Sequence, residues 1–173
     1  MISSENITQL NQNEINYIVG ARLGNLSIQL LGTIDEQIVR QDGKSIRIKT
    51  ELGYLICSYS SVRYRKDLYE MNKQIEKAKQ VVEVPSKSRK LKFTKTNDQK
   101  LELNEELIEK TKKLLGIKGY YTSLEENIAD NKTIIERYHE LYKIEQAFRV
   151  SKGDLQTRPI FHFKEQPIKL HIL

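Results

Sequence analysis

The 173-residue chain holds one cysteine, Cys57, and three prolines, none of which lies between Asp130 and Gly153. A disulfide framework is thereby excluded, and the lone thiol, in the apolar run Tyr54 to Cys57, is expected to be buried. Its apolar runs fall far short of the roughly 20 residues that span a bilayer. Met1 is followed by Ile-Ser-Ser-Glu-Asn, which lacks the basic start and apolar core of a secretory leader. A cytoplasmic location without a membrane partner is the expectation. Also missing are a Walker phosphate loop, a dinucleotide-binding glycine pattern and a serine-hydrolase elbow. His139, His162 and His171 have no short ligand spacing and the one cysteine is distant, so no zinc site is expected. There is no internal repeat and no low-complexity tract.

What is present fits one globular domain with its own core: 38% of residues are hydrophobic and 30% charged. The net charge of +6 is unevenly placed. Residues 1–58 carry 5 basic and 6 acidic side chains, residues 59–100 carry 12 and 5, and residues 101–173 carry 12 of each. Such a basic middle is expected of a surface that meets phosphate, although a solvated lysine-rich face has the same composition.

Local patterns order the chain. Ser3 or Ser4 caps a short helix with Ile7 and Leu10 facing inward, and Tyr17 to Ala21 reads as a buried strand. Leu26 to Gly32 is ambiguous. Asp42-Gly43 has the composition of a hairpin turn between Gln37–Arg40 and Ser45–Thr50, and Tyr54 to Tyr59 adds a third strand. From Ser60 or Ser61 a helix runs to about Val82, with Leu68, Met71, Ile75 and Ala78 on one side and Arg63, Arg65, Lys66, Lys73, Lys77 and Lys79 mostly on the others. Pro85 to Lys90 reads as a basic loop, Leu91 to Thr96 and Lys100 to Leu103 as strands joined at Asn97-Asp98, and Asn104 to Leu115 as a helix closed by Gly116. Lys118 to Leu124 is a further strand in which Tyr120 and Tyr121 point to opposite faces, so at most one is expected in the core.

The stretch Asp130 to Gly153 reads as one long helix, capped by Asp130 or Asn131, with Thr133 and Glu136 at capping-box spacing. Measured at 100° per residue from Glu145, Ile134, Tyr138 and Lys152 lie about 20° away, Leu141 about 40° and Phe148 about 60°. Glu145 is therefore centred on the apolar stripe. A carboxylate there must be paired, protonated or metal-bound, because an isolated buried charge is too costly. Pairing with Arg149 or Lys152 is one reading; a metal ligand or general base in a cleft is the other.

The order Tyr138, Leu141, Glu145, Lys152, then Arg158-Pro159-Ile160 and His162, resembles the C-terminal motif of bacterial insertion-sequence DDE transposases of the Tyr-Arg-Glu-Lys subgroup. Ile144-Glu145, Ala147-Phe148-Arg149, Asp154-Leu155 and Arg158-Pro159 are also similar to that family. Leu141 departs from it, standing where the family usually carries an arginine. The resemblance implies an α/β fold, α+β as a fragment. Residues 1–25 would end an RNase H-like core, residues 26–128 would form a β-rich insertion with a basic helix, and residues 129–173 would hold the core helix with the catalytic glutamate and begin a further apolar element. It implies that Met1 is internal to a longer chain and that a hydrophobic helix continues beyond Pro167 to Leu173.

By the same resemblance the parent enzyme cleaves and joins DNA with Mg²⁺ or Mn²⁺ held by two aspartates and a glutamate. Glu145 would be the last acid and a metal ligand. Tyr138, Lys152, Arg149, Arg158 and His162 would contact DNA, as would Arg63, Arg65 and Lys66 in the basic segment. The partners implied are transposon ends, target DNA and an intact transposase as dimer partner. Asp35, Asp42, Asp67, Asp98, Asp130 and Asp154 all read as turn, cap, helix-surface or loop residues, and none ends a buried strand. One glutamate cannot hold two cations about 3.5–4 Å apart. The alternative is a DNA-binding remnant without catalysis, or an inactive truncated product.

Overall fold

The computed structural model describes residues 4–83, 91–97, 100–153 and 165–172. They mix helix and strand in an α+β arrangement, divided into two compact units, Met1–Asn131 and Lys132–Leu173.

The first unit is built on a four-stranded sheet in which every pairing is antiparallel: β1 (Ile18–Ala21), β6 (Ile117–Thr122), β3 (Gly53–Tyr59) and β2 (Ser45–Thr50), in that spatial order. Strand alternation decides what each face buries. Leu55 and Cys57 stand opposite Ile48 and Ile46 on one side and Tyr121 and Gly119 on the other, so these residues share a face. Ile7 of α1 (Ser4–Gln12), Leu23, and Ile34 of α2 (Ile28–Gln37) join that face in one apolar cluster. The opposite face is covered as well: Ile56, Tyr120 and Thr122 are all buried. Tyr120 and Tyr121 are therefore both core residues, contrary to the expectation of one, because neither side of β6 faces water.

A second cluster lies between α3 (Ser61–Glu83), α4 (Glu105–Lys113) and the hairpin of β4 (Thr94–Asn97) and β5 (Lys100–Leu103). Met71, Ala78, Phe93, Ile108 and Leu115 are its buried members, and Leu68 and Ile75 of α3 pack against them as their helical spacing predicts. Asn104 caps α4, its side-chain oxygen accepting from the Leu107 N–H at 3.0 Å. Gly116 follows with φ of +77°, and its carbonyl accepts from the Ser60 N–H at 2.9 Å. A methyl group at Gly116 would meet Tyr59 and Tyr64 side-chain carbons at 2.8 Å, so both backbone conformation and space require glycine.

Several expectations are corrected. Gln37–Arg40 is no strand: α2 occupies residues 28–37, with Ser27 capping it through its hydroxyl, which accepts from the Leu30 N–H at 3.3 Å. Asp42-Gly43 consequently joins a helix to β2, and the hairpin is β2–β3, turning through Glu51 and Leu52. The Asp42 carboxylate serves another element, accepting from the backbone N–H and hydroxyl of Ser61 at the start of α3. These two bonds hold its pKa below the ordinary carboxylate value. The strand expected at Tyr17–Ala21 is Ile18–Ala21, an edge strand paired only with β6 and without a buried residue, and Tyr17, which precedes it, is the buried one. Residues 1–25 and 26–128 thus contribute strands to one sheet. The expected loop Pro85–Lys90, together with Asp98, Asp154, Arg158, His162 and the extended segment Arg158–Phe163, lies outside the described residues.

In the second unit the long helix is two. Asn131–His139 (α5) and Leu141–Gly153 (α6) are separated by Glu140, whose N–H is shared between the carbonyls of Glu136 at 3.1 Å and Arg137 at 3.2 Å. That tightened last turn ends α5, and the Glu140 carbonyl accepts from the Lys143 N–H to start α6. The Glu140 carboxylate, at the N-terminal end of α6 and hydrogen-bonded to the Lys143 ammonium at 3.0 Å, sits where the helix dipole favours it. Ile134 of α5 is fully buried, whereas α6 has no buried residue. The last described element is α7 (Glu165–Ile172), which overlaps the stretch Pro167 to Leu173 read from the sequence as the start of an apolar element.

Candidate nucleic-acid interface

Among the described residues the candidates lie on three helices, α5 and α6 in one unit and α3 in the other. On α6, Glu145, Arg149 and Lys152 fall within about 60° of one another around the axis. All three are exposed, and with Phe148 and Gly153 they line one open hollow. The expected burial of Glu145 does not occur: residues 141–150 are exposed throughout, Leu141 at 42% and Phe148 at 61% included. The desolvation that would force a partner on Glu145 is absent, and among the described residues no ion pair joins it to Arg149 or Lys152. Tyr138 belongs to α5, half-buried, with its ring 6.5 Å from that of His139. Because Glu140 interrupts the helix, the angle of about 20° between Tyr138 and Glu145 that a continuous helix implies does not apply.

On α3 the three expected cations part company. Arg63 turns toward Asp67, Nε to Oδ2 at 3.3 Å, and Asp67 also accepts from the Gly116 N–H. The pair stands at the mouth of a cleft that Met71, Gln74, Lys118 and Gly119 also line. Burial there, and next the positive charge of Arg63, lower the pKa of Lys118. The Gln74 Oε1 atom, buried in this region, has no hydrogen-bond partner among the described residues. Arg65 and Lys66 instead lie exposed on another side of α3, with Tyr69 and Lys73. Lys73 Nζ is 5.9 Å from the centre of the Tyr69 ring, which is 65% exposed. The signal for Tyr69 was in the sequence, an aromatic residue three after Lys66 and four before Lys73; only exposure separates it from the core-facing aromatics.

Arg47 is a further residue that its sequence context does not single out. Its guanidinium donates to the Asn131 side chain at 2.9 Å, the Ala129 carbonyl at 2.7 Å and the Leu124 carbonyl at 3.3 Å, and lies 5.5 Å from the centre of the Tyr54 ring. Asn131 in turn donates to the Ser45 hydroxyl at 3.1 Å. Asn131, the last residue of the first unit, is thereby tied to two residues of β2.

Among the described residues no group of three or more His, Cys, Asp or Glu side chains could hold a metal ion. One exposed carboxylate flanked by two cations does not fit a Mg²⁺ or Mn²⁺ site, which demands several oxygen ligands. No helix among the described residues is long and apolar enough to cross a membrane. Comparison with protein-family models, with curated proteins and with solved structures finds no match for this chain.

Proposed function

We propose that this chain is part of an insertion-sequence DDE transposase, the class of enzyme that cuts DNA and joins its strands, and that on its own it binds DNA without cutting it. The observation that carries this reading is the motif order Tyr138, Glu145, Lys152, with Glu145, Arg149 and Lys152 on one open face of α6. A carboxylate and two cations side by side in water suit a site where phosphate meets the last acid of a larger constellation. In this reading α5 and α6 correspond to the glutamate-bearing helix of an RNase H-like core. By the resemblance Glu145 would be one ligand of Mg²⁺ or Mn²⁺ only where two further acids stood beside it, and Arg149 and Lys152 would touch the DNA backbone. Arg158 and His162 extend the contacts by resemblance, and the basic helix α3 adds Arg65 and Lys66.

Binding without cleavage follows from the reading of the six aspartates as turn, cap, helix-surface or loop residues, since one glutamate does not hold two cations. An intact transposase would be the partner through which such a chain acts on transposon ends.

Two measurements test it. Titration of fluorescent duplex DNA at several salt concentrations is expected to show binding that weakens steeply as salt rises, as counterion release requires; no binding at low salt sinks the reading. Glu145→Gln in a protein that also carries both aspartates is expected to abolish metal-dependent strand transfer. Strand transfer that survives this change removes Glu145 from the acid triad.

A further inference from the structure

The charges of α3 fall on two sides that differ in their surroundings. Arg63, Asp67, Glu70 and Gln74 line the cleft that also holds Lys118. Val62, Lys66, Tyr69 and Lys73 fall within about 30° of a single line on the solvent-facing side, about 100° around the axis from the cleft residues, with the exposed Glu70 between the two sides. All four are exposed, Val62 at 67% and Tyr69 at 65%. Lys66 precedes Tyr69 by one turn and Lys73 follows it by one turn, which puts the two ammonium-bearing residues about 10 Å apart along the axis with the ring between them. Neither lysine forms an ion pair with a carboxylate among the described residues, whereas Glu76 is engaged by Lys79 at 3.1 Å.

This alternation of cation, ring and cation matches a chain that alternates phosphate and planar base. An acidic peptide would neutralise the lysines but leave the ring unused. Within a duplex the base faces are covered by their neighbours, and the ring could meet only base edges or sugar. An unpaired nucleotide offers a free face to the ring while its flanking phosphates remain in reach of the lysines. We propose that this side of α3 binds unpaired nucleotides of DNA, with Tyr69 stacking on a base and Lys66 and Lys73 holding the phosphates on either side. The proposal rests on the DNA-binding reading and deepens it, naming the form of DNA and the residue that selects it.

The test uses the full chain and two probes, a blunt duplex and the same duplex with a single-stranded tail carrying 2-aminopurine. The tailed probe is expected to bind about tenfold more tightly than the blunt one, the scale of one aromatic stacking contact, with 2-aminopurine fluorescence quenched on binding. Tyr69→Ala is expected to bring the tailed probe down to the affinity of the blunt one and to abolish the quenching. Tyr69→Phe is expected to keep both, which separates stacking from any effect of the substitution on folding. Equal affinity of the parent chain for the two probes, or an advantage that survives Tyr69→Ala, overturns the proposal and leaves duplex binding standing. Failure of the parent chain to bind either probe at low salt overturns both readings.

Discussion

Arg47 and Asn131 stand 84 positions apart in the chain and meet side chain to side chain, Nε of the guanidinium donating to Oδ1 of the amide at 2.9 Å. The same guanidinium satisfies two carbonyls of the segment between β6 and α5. Its planar fork reaches the three acceptors from three separate nitrogens, whereas the three donors of an ammonium group all sit on one atom and do not match that spread. Arg47→Ala is expected to cost about 2 kcal/mol, since it strands partly buried acceptors, and Arg47→Lys is expected to recover little of it. Urea denaturation followed by circular dichroism reads both; a loss below about 0.5 kcal/mol for Arg47→Ala would contradict the anchoring role.

Gly116 provides a second stability prediction. With φ of +77° and side-chain carbons at 2.8 Å from the site of an added methyl, Gly116→Ala carries both a backbone and a packing penalty. The two together are expected to lower stability by about 2–4 kcal/mol, read as a fall in the thermal midpoint. Gly32→Ala is the control, because nothing lies within 4 Å of its added methyl and the residue is inside α2. It is expected to be neutral or stabilising by up to about 1 kcal/mol.

Alkaline pH should unfold the protein through Cys57. Burial pushes its pKa up to about 12 from an ordinary value of 9.0, and burial raises Tyr121 beside it as well. The unfolded thiol loses its proton first, so above about pH 9 the unfolded state binds fewer protons than the native state and stability falls with rising pH. The decline is expected to continue toward pH 12 and to be shallower in Cys57→Val, as read from denaturant midpoints across that range. The same burial predicts that a thiol reagent at about pH 8 modifies Cys57 only after unfolding.

DNA binding should distinguish cations by their surroundings. Lys152→Ala and Arg149→Ala each remove an exposed cation beside Glu145 and are expected to reduce the slope of log affinity against log salt by about 0.9. Arg63→Ala is expected to change it less, because Asp67 already engages that guanidinium. Salt titrations that give equal slope changes for Arg63 and Lys152 would contradict this division.

The sequence pattern located most strands, because alternation and turn residues are local. Ser45–Thr50 and Tyr54–Tyr59 pair as β2 and β3, and Asn104 and Gly116 bound α4 as their chemistry predicts. Helix α2 escaped notice because Gly32, Thr33 and Ile34 are weak helix formers, and what stabilises it is the burial of Leu31 and Ile34 by residues distant in sequence. At the candidate site, the spacing of Glu145, Arg149 and Lys152 was legible as one helix face. Exposure was not, since periodicity marks an apolar stripe without saying whether anything covers it. The helix break at Glu140 had no proline or glycine to announce it. Likewise Arg47 reads as one more polar residue of an alternating strand, and its three acceptors lie about eighty positions further on.

The single residue between α5 and α6 also bears on how the motif tolerates changes in length. Inside α6, one inserted residue would swing Lys152 about 100° around the axis away from Glu145, breaking up the charged face. At Glu140 no continuous helical repeat links Tyr138 to Glu145, so the count of residues between them is not tied to a rotation. Insertions there should leave the grouping of Glu145, Arg149 and Lys152 intact. The grouping of Glu145, Arg149 and Lys152 is thus set within α6 alone, and the position of Tyr138 is set separately within α5.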